Sequence, residues 1–398
     1  MYKALEVLGP EHEFIVVDED LQPLSIIDNI IRTLKGRIVN VVEYPHYAVG
    51  KELQCHVLEM KGRKPFHSPN DFEETMQEAV LTLTDFLRSR FQASLLGTGM
   101  HPFLKPSEAK IWCHRHRSIY EIYEKIFNVR QHGWLNIQAF QLNLPYGGFR
   151  GAAQFHNVLV NILPYLPALT ASSPIYEDKF GAYVDNRMYF YKINQKEVPS
   201  LVGDVIPEYT NSLDAYHREV IDKYSEDLVR IGAGKSILNV DWINSRGIVF
   251  RYDRHAIEIR AMDEQECVKS DVAVSCYIRA TLRGLLAEGK RLQLLPHELL
   301  VRDFNSVIKD GLSAKVNHPQ GPTARSVCEG FYRIACEYAL DEEKPYLPIV
   351  KRRIDEGNLS EIISSRVKQK AQKTEMHEAV LDVYTDLMQS LTSNEPYF

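Results

Sequence analysis

Two spacings of apolar residues recur along the chain and predict its secondary structure. Extended runs, in which polar and apolar residues often alternate, predict strands over residues 4–17, 52–60, 94–103, 136–147, 245–252 and 255–262. Apolar residues three and four positions apart predict helices over residues 68–91, 119–127, 154–169, 212–231 and 269–292. From residue 296 onward the pattern predicts helices only.

The order of these elements favours an α+β fold. Some strands are separated by helices and others by short turns, and several alternate as strands do in an antiparallel sheet with one working face. We therefore expect one main domain over residues 1–295. Because no Gly-, Pro- or Ser-rich linker follows it, residues 296–398 are expected to form a helical C-terminal region packed on that domain.

Composition and charge narrow the class of protein. The 398 residues are 44% hydrophobic and 25% charged, which is ordinary for a globular chain. The formal net charge of −6 disfavours nucleic acid as a partner, because a phosphate backbone would be repelled. The first residues lack an apolar signal core, and no run reaches the roughly 18 to 20 apolar residues of a membrane helix. A cytoplasmic protein without a membrane partner is expected.

Three features imitate functional motifs without completing them. Residues 232–236, GAGKS, end like a P-loop, but Val229 replaces its first glycine and the preceding segment has a helical pattern. Residues 113–117, CHRHR, lack a second ligand pair at zinc-site spacing and are interpreted as a solvated basic patch. The cysteines form no C-x-x-C pair, which predicts reduced and mostly buried thiols at Cys55, Cys113, Cys267, Cys276, Cys328 and Cys336.

The first strand carries two carboxylates on one face. Glu11 and Glu13 are two residues apart, and the side chains of a strand repeat every two residues. Neighbouring like charges cost free energy unless a cation neutralises them, and hard oxygen ligands suit Mg²⁺ or Mn²⁺. The alternative is an exposed acidic edge, because E-x-E is a weak pattern.

A later strand combines an acid with a base. In HAIEIRAM, Ile257 and Ile259 can face a core while Glu258 and Arg260 share the opposite face. Glu258 can then hold a metal ion, and the fork of donors on Arg260 matches the geometry of phosphate. From the pattern alone, a surface cross-strand ion pair worth about 0 to 1 kcal/mol is an equal alternative.

Two further segments contribute polar side chains. Gln141 and Asn143 alternate with apolar residues, and neutral amides there can bind a nucleotide or substrate without adding charge. Glu52 and Glu59 supply two more acids. Strict alternation would place these two on opposite faces, so both serve one site only if a bulge or a strand end intervenes.

Several ordered blocks also resemble a known family. They are GPEHEFIVVD, ELQCHVLE, GTGMHPF, HRSIYEIYEKIF, LPALTASSPIYEDKFGAYVDNRM and IEIRAMD, of which the fifth is the most specific. Taken together, over roughly residues 5 to 290, they resemble the carboxylate-amine ligase branch of the glutamate-cysteine ligases.

The resemblance implies a glutamine-synthetase-like fold, in which an antiparallel sheet flanked by helices forms a cup for ATP, Mg²⁺ and glutamate. The metal ligands implied are Glu11, Glu13, Glu52, Glu59 and Glu258. The residues implied at the nucleotide and its phosphates are Arg187 and Arg260, with Gln141 and Asn143 beside them. The residues implied at the substrate carboxylate are Arg246, Arg251 or Arg254.

The chain departs from the family pattern at two places. Many relatives carry three consecutive acids in the opening strand, whereas here the middle residue is His12, which should point away from the site. Relatives also often have His-x-His where this chain has Gln141 and Asn143. The second departure changes what the strand offers to the nucleotide or to the acceptor amine.

These observations lead to a functional expectation with two alternatives. We expect an ATP- and Mg²⁺- or Mn²⁺-dependent ligase that activates a carboxylate, such as the γ-carboxylate of glutamate, as an acyl phosphate and couples it to an amine such as that of cysteine. Glu258 and Arg260 would act in catalysis, and a homodimer is possible by the same resemblance. The alternatives are a non-catalytic nucleotide or amino-acid binding protein and, ranked last, a metal-dependent amide hydrolase.

Overall fold

A computed structural model describes residues 1–115, 117–233, 243–288 and 294–398 of the chain. Its main element is an eight-stranded antiparallel sheet with the order β2-β3-β4-β1-β6-β10-β9, in which β5 also pairs with β1. Two short hairpins, β7-β8 and β11-β12, stand apart from it. The strands are β1 Gly9–Val17, β2 Val41–Glu43, β3 Tyr47–Lys51, β4 Val57–Gly62, β5 Ser94–Leu96, β6 Phe140–Pro145, β7 Ile175–Tyr176, β8 Lys179–Phe180, β9 Ile248–Arg251, β10 Ala256–Ile259, β11 Lys315–His318 and β12 Gly321–Thr323.

Helices flank this sheet and make up most of the C-terminal quarter. The helices are α1 Ile27–Lys35, α2 Pro69–Phe91, α3 Arg117–Ile126, α4 His132–Leu135, α5 Phe149–Ile162, α6 Pro167–Thr170, α7 Asn186–Ile193, α8 Pro199–Val202, α9 Leu213–Tyr216, α10 Lys223–Arg230, α11 Val268–Glu288, α12 His297–Asp310, α13 Ala324–Tyr338, α14 Leu347–Glu356, α15 Leu359–Lys370 and α16 Met376–Ser393. A π-helical turn, His217–Asp222, joins α9 to α10. Among the described residues, no helix combines the length and the apolar character needed to cross a bilayer.

The two faces of the sheet differ in polarity. Phe140, Leu142 and Leu144 on β6 are fully buried, and helices α2 and α11 pack on this apolar side. The alternate residues of β1, β4, β6 and β10 face the opposite side and include most of the charged side chains discussed below. Strand periodicity therefore divides the sheet into a core face and a working face.

The C-terminal helices close one end of the working face. On β1, Ile15 and Val17 follow Glu11 and Glu13 on the same face, and they are buried in a cluster with residues of α15 and α16. Other residues beyond position 295, such as Phe304 on α12, share the main hydrophobic core. The division into residues 1–295 and 296–398 stays a prediction, and the core is continuous across it.

Several predicted boundaries differ from the structure for identifiable reasons. The predicted helix over residues 154–169 is interrupted at Pro164 and Pro167, where a 3-10 turn separates α5 from α6. The predicted strand over residues 94–103 ends at Leu96. The prediction of helices only beyond residue 296 was wrong for the hairpin β11-β12.

A buried ion pair ties α11 to the segment that precedes α14. The carboxylate of Glu343 is fully buried and accepts hydrogen bonds from the Arg279 guanidinium and from Arg283 Nη1, the latter at 2.9 Å. Burial alone would raise the pKa of Glu343, but the hydrogen bond from Arg283 and the charge of Arg279 outweigh it, and the pKa is lowered. The adjacent Glu342 is 40% exposed and lies 3.3 Å from Arg279 Nη2.

We expect Glu343→Gln to destabilise the fold by about 3 to 5 kcal/mol, because it leaves a buried guanidinium without its carboxylate. Glu342→Gln is the matched control and should cost about 1 kcal/mol or less. Since the folded-state pKa of Glu343 is lowered, its stabilisation is complete above the ordinary carboxyl pKa and declines as the pH falls through the lowered value. Urea unfolding at pH 7 and at pH 3 measures both effects, and equal losses in the two variants would contradict the assignment.

Candidate active site

A cavity of about 410 Å³ lies over the working face of the sheet. Its wall combines carboxylates, cationic side chains and aromatic rings. The lining includes ten of the residues singled out from the sequence or its family resemblance: Glu11, Glu13, Glu52, Glu59, Gln141, Arg187, Arg251, Arg254, Glu258 and Arg260. The structure thus brings together side chains that are up to 249 positions apart in the chain, from Glu11 to Arg260.

The acids reach one cavity because of strand alternation and one strand end. Glu11 and Glu13 lie on β1, and Glu13 stands directly opposite Glu59 of the antiparallel neighbour β4. Glu52 follows the last residue of β3, so the alternation that would turn it away from Glu59 no longer applies. Glu52 and Glu59 could share a site only if a bulge or a strand end came between them. The end of β3 at Lys51 meets this condition.

Burial and mutual repulsion raise the pKa of three of these carboxyls into the neutral range. Burial, with smaller contributions from neighbouring glutamates, raises the pKa of Glu13 to about 7, of Glu52 to about 7 and of Glu59 to about 8. Burial opposes ionisation of Glu11 as well, but the charges of Lys61 and Arg254 outweigh it and lower the pKa to about 2. The site therefore holds protons that a divalent cation could displace.

Cationic side chains pair with the carboxylates across the cavity. Arg254 binds Glu11, Lys61 Nζ lies 2.7 Å from Glu59 Oε2, and the Arg260 guanidinium binds Glu258. Arg251 Nη1 also lies 3.4 Å from Glu258 Oε2. The described lining includes five glutamates and six lysines or arginines. Such a mixed inventory can bind an anion and cations together, because each sign of charge has partners in the wall.

Arg187 is held from behind by a buried polar network. Its Nη1 lies 3.4 Å from Asp263 Oδ1, and its Nη2 donates to the backbone carbonyl of Arg260 at 3.1 Å. Asp263 in turn accepts hydrogen bonds from the amide of Ser172 at 2.9 Å and the hydroxyl of Ser173 at 2.7 Å. The guanidinium is thereby oriented toward the cavity before any ligand binds.

Gln141 and Asn143 contact the carboxylates of β1. Gln141 Nε2 donates to Glu13 Oε1 at 3.0 Å, and Asn143 Nδ2 donates to Glu11 Oε1 at 3.2 Å. Gln141 lines the cavity, whereas Asn143 lines the chamber next to it. Both amides can position carboxylates without adding charge.

Arg246 is the predicted site residue that lines neither this cavity nor the chamber next to it. It is 2% exposed, and its guanidinium donates hydrogen bonds to Glu208 Oε2 at 3.2 Å and to the carbonyl oxygen of Ser200 at 3.0 Å. It precedes β9 and is not part of the cavity lining. The structure therefore does not bring Arg246 to the substrate side, whereas Arg251 and Arg254 do line the cavity.

Several residues of the cavity wall were not predicted from the sequence. They are Lys51, Lys61, Tyr120, Tyr123, Trp134 and Tyr191. Lys61 could have been found, because it lies two positions after Glu59 on the same strand. The aromatic residues come from the helices α3, α4 and α7, where the period of two gives no signal.

His12 belongs to a separate buried cluster behind the sheet. Its Nδ1 lies 3.0 Å from Glu264 Oε1 and 3.4 Å from Asp271 Oδ2. Burial opposes protonation, but these two carboxylates outweigh it and raise the pKa of His12 to about 10. The two carboxylates therefore favour the protonated form of the imidazole, and His12 points away from the cavity as alternation predicts.

The donor chemistry of the cavity fits a hard divalent cation. Its acids offer oxygen ligands only, and Glu258 Oε2 is buried and makes no hydrogen bond among the described residues. In the described part of the chain, the group of three potential ligands whose atoms all lie within 4.8 Å of one another is His12, Glu264 and Asp271, not the cavity glutamates. One or two carboxylates for each Mg²⁺, completed by phosphate and water, would suit this spacing.

Sequence comparison relates nearly the whole chain to one family. The sequence model described as glutamate-cysteine ligase family 2 matches residues 7–386. A curated relative from Archaeoglobus fulgidus, described as an uncharacterized protein, is 41% identical over 391 residues, which are 98% of this chain and 100% of the relative.

Three solved structures share the fold. The glutamate–cysteine ligase of Francisella tularensis in complex with AMP aligns with a TM-score of 0.67 and 14% identity over 98% of this chain and 90% of that chain. A bifunctional glutathione synthetase from Pasteurella multocida gives 0.58 and 12% over 97% and 52%. The complex between the prokaryotic ubiquitin-like protein Pup and its ligase PafA gives 0.51 and 11% over 95% and 72%. The likeness confirms the expected antiparallel sheet flanked by helices.

We expect Mn²⁺ binding to the nucleotide-free protein to release on the order of one proton per ion near pH 7, because the carboxyls of Glu13, Glu52 and Glu59 hold protons there. The affinity should rise from pH 6 to pH 9 as these groups ionise. Calorimetric titration in two buffers with different ionisation enthalpies measures the release. Glu59→Gln should reduce it, and a binding enthalpy that is the same in both buffers would refute the expectation.

Proposed function

Because the chain belongs to glutamate-cysteine ligase family 2, and is in general terms an ATP-dependent carboxylate-amine ligase, we propose that it activates the γ-carboxylate of glutamate, or of a similar donor, and joins it to an amine such as that of cysteine. Residues 1–295 would form the catalytic part. The observation that carries the proposal is the cavity in which carboxylates and phosphate-type arginines meet on one sheet face.

The proposed nucleotide site uses the cationic and aromatic parts of the wall. Arg187 and Arg260 would hold the phosphates, because a guanidinium offers paired donors that match phosphate oxygens. Tyr120, Tyr123 and Trp134 offer ring surfaces against which a base can stack. The AMP bound to the Francisella tularensis ligase is in keeping with a nucleotide in this fold.

The proposed metal ligands are Glu11, Glu13, Glu52, Glu59 and Glu258. Bound Mg²⁺ or Mn²⁺ would supply positive charge that neutralises the phosphates and orients them. In the structure, these carboxylates pair with arginine and lysine side chains of the cavity wall. When a nucleotide and cations enter, Arg260 can turn from Glu258 to a phosphate oxygen, which frees that carboxylate for a cation.

The proposed reaction has two displacements. A carboxylate oxygen of the donor attacks the γ-phosphorus of ATP, the bond from that phosphorus to the bridging oxygen breaks, and ADP leaves, so that an acyl phosphate forms. A free amine then attacks the acyl carbon, the bond from carbon to the phosphate oxygen breaks, and phosphate leaves as the nitrogen loses a proton to water. Arg251 and Arg254 would hold the donor carboxylates, and oriented binding replaces a rare collision.

Release of ADP in the presence of hydroxylamine tests the proposal. Hydroxylamine is a small uncharged amine that converts an acyl phosphate into a hydroxamate without needing an acceptor site. We expect purified protein with Mg²⁺, ATP and glutamate, or a related donor in a carboxylate panel, to release ADP and hydroxamate in equal amounts. Calorimetric ATP binding without ADP release from any donor would instead favour the binding-protein alternative, and cleavage of γ-glutamyl compounds without ATP would favour the hydrolase.

We expect Glu258→Gln to lower kcat by roughly 10² to 10³-fold, because it removes a charge that binds a cation and positions Arg260. Glu337→Gln on α13 is the control, since that residue is exposed and distant in the fold from the cavity lining. The thermal unfolding midpoint of each variant shows whether the fold persists. A folded Glu258→Gln protein with unchanged kcat would remove Glu258 from the site.

A further inference from the structure

A second chamber of about 400 Å³ adjoins the first cavity. The two share Glu11, Lys61 and Arg254 in their walls. The shared wall is an ion-pair junction: Arg254 binds Glu11, and Arg254 Nη1 also lies 3.4 Å from Asn143 Oδ1. The two chambers therefore lie side by side over the same face of the sheet, with this junction between them.

The charges of the second chamber are of nearly one sign. Its lining includes Lys61, Arg63, Lys64 and Arg254, and its acid is Glu11. Glu11 is already paired with Arg254, and Lys61 is paired with Glu59. Among the described residues, the ion pair of Arg63 is an exposed contact of 3.4 Å with Glu43, which is a weak interaction in water. The positive charge that remains after these pairings is that of Arg63 and Lys64, in contrast with the mixed charges of the first cavity.

The lining of the chamber also includes apolar residues, namely Val7, Pro10, Pro145 and Ala256. We refer to its four cationic residues together as the cationic rim. Lys64 is exposed at the turn that follows β4, so its ammonium can approach a ligand from the solvent side. A volume near 400 Å³, with apolar walls and a few charged groups, falls within the range of sites for ligands larger than a single small amino acid.

We propose that this chamber binds the acceptor substrate, and that the acceptor is an amine carrying two or more negative charges. The proposal rests on the proposed ligase function. The cationic rim would hold the charged groups of the acceptor, and its amine nitrogen would extend past the Glu11–Arg254 junction toward the acyl phosphate. There the C–N bond forms, the bond from carbon to the phosphate oxygen breaks, and the nitrogen loses a proton to water. A neutral amine would gain little from the rim, and a polyamine would be repelled by it.

The experiment compares acceptors by their kcat/KM for ADP release. The set with two or more anionic charges, called the dianionic set for short, is aspartate, glutamate, glutamyl-glutamate and phosphoserine, which separates carboxylates from phosphate. The comparison set is alanine, serine, cysteine, the amides of aspartate and glutamate, and putrescine. We expect kcat/KM to be about tenfold or more higher for at least one dianionic acceptor than for its less charged analogue. Equal or higher values for cysteine or the amides would overturn the inference.

Substitutions at Lys64 test the chamber itself. Lys64→Glu should raise KM for the preferred acceptor about tenfold or more, and Lys64→Arg should restore most of the loss because it keeps the charge. Lys35→Glu, an exposed lysine on α1, makes the same charge change away from the chamber and should leave KM unchanged. A KM that does not respond to Lys64→Glu, or that responds equally to Lys35→Glu, would overturn the assignment of the chamber.

Hydroxylamine trapping with the unaltered protein tests the ligase function separately from the identity of the acceptor. If hydroxamate forms but dianionic acceptors are not preferred, the ligase function stands and the inference about the acceptor falls. If no donor gives ADP or hydroxamate, the ligase function falls and the acceptor inference falls with it.

Discussion

The main constraint on this structure is that its sheet brings several carboxylates into one cavity, where they repel one another. Glu13 and Glu59 are directly opposite on neighbouring antiparallel strands, a pairing that is unfavourable for like charges. This repulsion is relieved in two ways: by protons, as the raised pKa values of Glu13 and Glu59 indicate, and by cationic neighbours such as Lys61. Both are replaceable, which is why the same acids could serve as metal ligands.

The fold supports this unfavourable arrangement from outside the cavity. The apolar face of the sheet is buried under α2 and α11, and α15 and α16 cover the end of β1 beyond its two acids. Arg187 is held by Asp263, and Glu258 is held by Arg260. Free energy from the packed core can thus offset the cost of a charged cavity, and the charged groups are oriented before a ligand arrives.

Much of the site could be predicted from the sequence because strands impose a period of two. That period placed Glu11 with Glu13 and Glu258 with Arg260 on one face, and the family resemblance, now confirmed by the match over residues 7–386, joined segments that no local pattern connects. Where alternation does not operate, prediction was weaker. Arg246 lies just before β9 and binds Glu208, and the aromatic residues of the cavity wall come from helices. The prolines at 164 and 167 broke a helix that hydrophobic spacing alone had predicted to be continuous.

In the function proposed here, these carboxylates bind divalent cations that also contact the phosphates of a nucleotide. Anomalous X-ray diffraction from crystals grown with Mn²⁺ and a non-hydrolysable ATP analogue tests it most directly. We expect manganese peaks within about 2.5 Å of oxygens from Glu11, Glu13, Glu52, Glu59 or Glu258, and we expect the same ions to contact the β- and γ-phosphates. Nucleotide density without manganese at these glutamates, or manganese and nucleotide bound elsewhere on the protein, would contradict it.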